Sequence, residues 1–189
     1  MQNEIRKRCL VARESLSGQE VALLSAEVVK RLLRAFPQPP GKRVGFCWPI
    51  RNEPDIRPAI HIWQAMGMMA ALPVTPAKGE ALAFRLWQPE SCLVPDGRGI
   101  PAPPENAPEV IPDALLIPLV AFDAAGYRIG YGGGFFDRAL ASLAAQSARP
   151  LAIGLGFELS RVADIQPQPH DWPMDWLVTE AGIWRIREE

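Results

Sequence analysis

Between positions 122 and 138 the chain reads Phe-Asp-Ala-Ala-Gly-Tyr-Arg-Ile-Gly-Tyr-Gly-Gly-Gly-Phe-Phe-Asp-Arg. Four of the five residues from 130 to 134 are glycine, and Arg128, Asp137 and Arg138 flank them. Glycines let the backbone approach a ligand closely, and a helix start just beyond them presents free N–H groups to an anion. Arg128 suits a bidentate clamp on phosphate oxygens. Asp137 offers a hard oxygen to a divalent cation, or else a cap for the following helix. The known phosphate motifs fail here. A Walker loop needs Lys and then Ser or Thr after its last glycine, where this chain has Phe135-Phe136. The dinucleotide fingerprint begins at Gly130-Tyr131-Gly132 but meets Phe135 where its third glycine belongs. A glycine turn used only for packing is the competing reading; the flanking charges favour a nucleotide or phosphate site.

The surrounding pattern supplies elements to hold such a loop. The apolar run Ala114 to Val120 predicts a buried strand before it, and Ala139 to Ala145 predicts a helix after it. Ile5, Cys9, Ala12 and Leu16 give a first helix, with Arg6, Arg8 and Arg13 on its other faces. Ser17-Gly18-Gln19-Glu20 is a capping box for a second, striped by Val21, Leu24, Val28, Leu32 and Phe36 and ended by Pro37. Val44 to Trp48 predicts a strand stopped by Pro49, Ile56 to Met66 a helix, and Met68 to Leu72 a strand. Ala81 to Trp87 alternates as a half-exposed strand does. Six prolines between Pro95 and Pro112 predict a long loop without regular structure. Leu151 to Phe157 is a further strand, Pro167 to Pro173 a second proline-rich loop, and Trp176 to Val178 with Ile183 to Ile186 complete the sheet. Strands alternating with helices predict one α/β domain over 1–189, three-layered, with a mostly parallel central sheet flanked by helices.

Composition narrows the function. A net charge of −1 over 189 residues argues against nucleic-acid partners. The first residues lack the apolar core of a signal peptide, and Met66 to Val74 is too short to span a bilayer. Cys9, Cys47 and Cys92, odd in number and widely spaced, predict reduced thiols in a cytoplasm. Two histidines, His61 and His170, exclude a histidine metal cluster.

Asp123-x-x-Gly126-x-Arg128-x-Gly130-x-Gly132-Gly133-Gly134-x-x-Asp137-Arg138 resembles the signature of the 5-formyltetrahydrofolate cyclo-ligases, also called methenyltetrahydrofolate synthetases. Weaker likenesses occur in the family's order: Arg6 to Ser17, Trp48-Pro49 through Glu53, His170-Asp171, and Val178-Thr179-Glu180. The resemblance implies ATP- and Mg²⁺-dependent closure of 5-formyltetrahydrofolate to the 5,10-methenyl form. It implies ATP contacts from Arg6, Arg128, Gly130, Gly132, Gly133, Gly134, Phe135 and Phe136. Folate contacts would come from Trp48, Glu53, Tyr131, Phe135 and the three consecutive glycines. Arg128 and Tyr131 would serve catalysis, Asp137 and Asp171 the metal. Small-molecule partners alone are implied, with a monomer or weak dimer. Five positions depart from the family's usual residues: Gln2 and Met68 stand where a basic residue is common, Ala102 for a glutamate, and Phe135-Phe136 for paired tyrosines. They leave open an ATP-binding paralogue acting on another formyl or amide substrate.

Overall fold

The apolar run that begins at Ala114 forms the middle strand of a seven-stranded sheet. The computed structural model describes residues 1–75, 81–146 and 149–187. In chain order its elements are α1 (Gln2–Glu14), α2 (Gly18–Ala35), β1 (Arg43–Gly45), α3 (Arg57–Ala65), β2 (Met69–Val74) and β3 (Ala83–Trp87). There follow β4 (Val94–Pro95), β5 (Pro101–Ala102), β6 (Ala114–Pro118), β7 (Ala121–Phe122), β8 (Arg128–Ile129) and α4 (Phe135–Gln146). The last are β9 (Leu151–Leu155), β10 (Trp176–Val178) and β11 (Ile183–Arg185). The sheet runs β11-β10-β9-β6-β1-β2-β3, and its five inner strands are parallel. Both edge strands, β3 and β11, pair antiparallel. This is the expected three-layer arrangement with a mostly parallel sheet.

Side chains of β6 leave alternately on the two faces, because the strand period is two. Leu116 joins Val44, Leu72 and Ile153 beneath α2 and α3, whose Val28, Leu32, Ile60 and Trp63 are fully buried. Leu115 and Ile117 join Ala71, Ala152 and Leu177 beneath Ala139, Leu140 and Leu143 of α4. A strand buried on both faces has no polar position to alternate, which is why the sequence reads as a continuous apolar run. The capping box forms as read. Ser17 N donates to Glu20 Oε2 at 2.8 Å, and Glu20 N donates back to Ser17 Oγ at 3.3 Å. Helix α1 lies outside the layers, seating Cys9 against Val120, Ala121, Ile129 and Ile165.

Four expectations are corrected. The proline-rich stretch contains the small antiparallel ribbon β4–β5, with Val94 opposite Ala102. Asp96 sets its turn by accepting from the N–H groups of Arg98 and Ile100. The loop beginning at Phe122 is a hairpin, β7–β8, whose turn hangs on Asp123 Oδ1 accepting from Ala125 N and Tyr127 N, each at 3.0 Å. The helix after the glycines starts at Phe135, so Asp137 lies in its first turn rather than before it. Strand β1 ends at Gly45, although Phe46 N still donates to Ala71 O.

Asp175 ties the sheet's left half together. It is 6% exposed and accepts from Arg149 Nη1 at 2.6 Å and from Ala152 N at 2.8 Å. Asp175→Ala strands both donors and is expected to cost about 2–4 kcal/mol. Urea unfolding checks this; an unchanged midpoint and slope would refute the role.

Candidate active site

Leaving β1, the chain passes through α3 to β2 on one side; leaving β6, it passes through α4 to β9 on the other. Two adjacent parallel strands with diverging connections open a crevice beyond their carboxyl ends. A cleft of about 280 Å³ occupies that position. Its walls come from Cys47 to Glu53 after β1, Pro118 at the end of β6, the Gly130–Asp137 loop, Gln2 and Arg6 of α1, the Asp96–Pro101 ribbon turn, and His170-Asp171.

The glycine loop supplies the floor. Gly132 and Gly134 have φ of +93° and +61°, where a side chain is strained. Gly133 has an ordinary φ but no room: a Cβ there would lie 2.3 Å from the Phe135 ring. That ring is held between two cations, with the Arg98 guanidinium 4.4 Å and that of Arg138 5.1 Å from its centre. Arg6 lies over the loop, donating from Nε to Gly130 O at 2.7 Å and bonding Asn3 through Nη1. Its guanidinium would be 3.5 Å from a Cβ on Gly132. Loop, helix start and arginine therefore converge on one anion-sized recess.

The opposite wall carries Glu53, 4% exposed. Its Oε2 accepts from Ile50 N at 3.0 Å and its Oε1 from the Tyr131 hydroxyl at 2.7 Å. Burial pushes its carboxyl pKa up, while Tyr131, Arg13, Ile50 N and Arg51 pull the other way. Burial, reinforced by the neighbouring Glu53 charge, raises the Tyr131 and Cys47 pKa values too. Residues Arg51 and Asn52, leading into Glu53, adopt left-handed φ of 49° and 58°. Asn52 Nδ2 holds that bend by donating to Arg13 O in the last turn of α1 and to Leu16 O just beyond it. Trp48 faces the cleft with the Arg57 guanidinium 4.6 Å from its ring centre.

Arg128 lines the cleft while bonded to the protein itself. Its side chain is 5% exposed, with Nη1 donating to Trp172 O and Nη2 to Asp137 Oδ1, both at 2.8 Å. Burial lowers its pKa, opposed by Asp137 and Asp171. Asp137 Oδ1 also accepts from Trp172 N, and Asp171 Oδ2 accepts from Gln168 N. Among the described residues no three His, Cys, Asp or Glu side chains cluster as a metal site. Two carboxylates lining a cleft beside a phosphate-type recess nevertheless suit Mg²⁺, which takes one or two carboxylates and fills its remaining positions with water and phosphate oxygens.

The structure thus brings Arg6, Trp48, Glu53, Arg128, Tyr131, the glycines, Phe135, Phe136, Asp137 and Asp171 to one cleft. The departures divide, Phe135 being in the cleft lining. Gln2 and Phe136 line it, whereas Met68 belongs to the core under α3 and Ala102 is buried in the ribbon. Two residues were missed. Arg13, read as one solvated charge among several on α1, is 1% exposed. Arg98, hidden in the proline-rich stretch, reaches the cleft because the Asp96 turn folds it over Phe135. An aspartate two residues before Arg98 and followed by glycine was the available signal for that turn.

Fold and site define an open-sheet α/β protein with a cleft suited to an anion at its switch point. A model of the 5-formyltetrahydrofolate cyclo-ligase family matches residues 1–180. The 5-formyltetrahydrofolate cyclo-ligase of Escherichia coli K12 is 29% identical over 178 residues, covering 91% of this chain and 96% of that one. That of Mycolicibacterium smegmatis is 31% identical over 157 residues, 78% of each chain. The solved structure of Aquifex aeolicus 5,10-methenyltetrahydrofolate synthetase superposes with a TM-score of 0.81 at 29% identity, covering 100% of this chain and 94% of its own. The chain belongs to the 5-formyltetrahydrofolate cyclo-ligase family. Among the described residues no helix is long and apolar enough to cross a membrane.

Gly133→Ala is expected to displace the Phe135 ring, since the added Cβ and the ring cannot share that space. Ligand affinity in the cleft should fall at least tenfold while the melting temperature drops only a few degrees, in line with a local change of about 1 kcal/mol. Unaltered affinity would mean that the ring's position is immaterial to binding.

Proposed function

We propose that this protein closes 5-formyltetrahydrofolate to 5,10-methenyltetrahydrofolate at the expense of ATP, releasing ADP and phosphate. One observation supports this above the others: a single cleft carries a buried carboxylate at one wall and an arginine–glycine recess at the other. The carboxylate matches the paired N–H donors on a pterin's pyrimidine edge, and the recess matches a polyphosphate. The formyl group between them is a resonance-stabilised amide and a poor electrophile. Transfer of the γ-phosphoryl group to the formyl oxygen, with ADP leaving, converts that oxygen into a leaving group. N10 then attacks the formyl carbon and loses its proton, the C–O bond breaks with departure of phosphate, and the methenyl bridge remains.

Such chemistry asks for positioning and charge neutralisation rather than a protein nucleophile. Arg6 and the N–H groups of the Gly132–Phe135 turn bind the phosphates, and Arg98 adds a cation above them. Glu53 and the Trp48 face hold the pterin. Asp137 and Asp171 would hold Mg²⁺, which supplies charge neutralisation on the phosphate oxygens. Arg128 keeps Asp137 oriented in the first turn of α4 and adds positive charge behind the phosphate site. Two departures that pointed to a different substrate, Met68 and Ala102, lie in packed interior rather than on the cleft wall, which favours folate over the alternative amide substrates. The three cysteines are unpaired, compatible with a reducing cytoplasm.

Purified protein with MgATP and 5-formyltetrahydrofolate should form the methenyl product, followed by its near-ultraviolet absorbance, in step with ADP. Omitting Mg²⁺ or ATP should abolish the signal. Asp137→Asn should lower kcat on the order of a hundredfold or more, and Glu53→Gln should act mainly on the folate KM, by about tenfold or more. ATP bound without methenyl formation would reject the folate reaction.

A further inference from the structure

Arg13 is a fully buried charged side chain, 1% exposed, and nothing in the phosphate or metal chemistry uses it. Its Nη1 donates to Leu119 O at 3.0 Å, just past β6, and its Nε to Arg51 O at 2.9 Å. Its Nη2 donates to the Tyr131 hydroxyl at 2.5 Å and lies 3.9 Å from Glu53 Oε1. Tyr131 in turn donates its proton to that same oxygen at 2.7 Å. The phenol thus accepts from a cation and donates to an anion, so its hydroxyl has one orientation only. Above the ring lie the Arg13 and Arg51 guanidinium groups, 5.8 and 5.6 Å from its centre. Oε2 is fixed separately by Ile50 N.

This arrangement rests on more than proximity. A carboxylate removed from water and left unpaired protonates instead, and a protonated one presents an acid O–H where a pterin needs two acceptors. Arg13 and Tyr131 oppose that outcome. They reach Glu53 from the first helix and from the glycine loop, so the pterin wall and the phosphate floor share one hydrogen-bonded unit. We propose that Arg13 and Tyr131 are positioning residues that hold Glu53 ionised, with its free lone pairs turned into the cleft, and thereby set the affinity for the pterin ring. The role of Tyr131 is then to orient Glu53, not to touch the reacting formyl group. The proposal rests on the folate reading for the identity of the ligand, but not for the state of Glu53.

The charged and titratable groups facing Glu53 are Arg13 from α1, Arg51 from its own loop, Tyr131 from the glycine loop and Cys47 beyond β1. Removing the Tyr131 hydroxyl takes away a donor to the anion, so protonation becomes easier and the Glu53 midpoint moves to higher pH. Tyr131→Phe keeps the ring and the fold; Arg13→Met removes the cation. ¹³C-carboxyl NMR, with Glu53 assigned by Glu53→Gln, reads the midpoint with no ligand present. Both variants should titrate at higher pH than the unmodified protein. With saturating MgATP, Tyr131→Phe should raise the folate KM about tenfold, the effect of one hydrogen bond to a charged group. Its kcat should change less than twofold, and the acid limb of kcat/KM should move up in parallel with the NMR midpoint. An unmoved midpoint in Tyr131→Phe overturns the proposal even if Arg13→Met fails to fold. A shifted midpoint in a protein that never binds 5-formyltetrahydrofolate upholds the unit and rejects the folate reading instead. A fall in kcat at constant KM would place Tyr131 at the reacting centre and overturn its positioning role.

Discussion

A carboxylate buried in the loop beyond β1 is the constraint around which the active-site end of this molecule is built. Glu53 cannot lie there charged unless other segments compensate it, and each that does so is fixed in place by the same contacts. Arg13 brings α1 across the carboxyl ends of the strands, bonding the backbone beyond β6 and at Arg51. Tyr131 draws the glycine loop toward β1. Asn52 closes the left-handed bend by bonding carbonyls at and just beyond the end of α1. A helix outside the sheet's layers, a strained loop and a phosphate-type turn therefore hold one another.

The opposite charge arrangement organises the far side of the cleft. There a buried cation, Arg128, is balanced by Asp137 and approached by Asp171. One wall buries an anion supported by cations, the other a cation supported by anions, and the cleft lies between. Low dielectric strengthens both sets of contacts. The division suits two ligands of different chemistry, a donor-edged ring and a polyanion, placed with their reactive groups adjacent.

Much of this was legible in the chain. The glycine turn with its arginines and aspartate, the capping box of α2, and the apolar run of β6 all follow local rules that the tertiary structure reinforces. Glu53 could be placed after a strand end, although not its burial. Arg13 was illegible because its neighbours Arg6, Lys7 and Arg8 make the helix look solvated. Its partners lie 38, 106 and 118 residues away, at distances no periodicity reports. The partners of Arg128 were illegible for a related reason: a turn arginine reads as a free cation, and only the path of the Pro167 to Pro173 loop brings Trp172 O onto it. Strands β4, β5, β7 and β8 contain two residues each, too few for alternation to show; their aspartate-set turns are more visible than the strands themselves.

The central claim is that one cleft, between β1 and β6, holds both substrates with the pterin on Glu53 and the phosphates on the glycine turn. A crystal structure with 5-formyltetrahydrofolate and a non-hydrolysable MgATP analogue tests it most directly. The account predicts the pyrimidine edge within hydrogen-bonding distance of both Glu53 oxygens, the γ-phosphate over Gly132 to Gly134 beside Arg6, and the formyl oxygen facing it. A pterin seated away from Glu53, or phosphates bound outside the glycine turn, would contradict it.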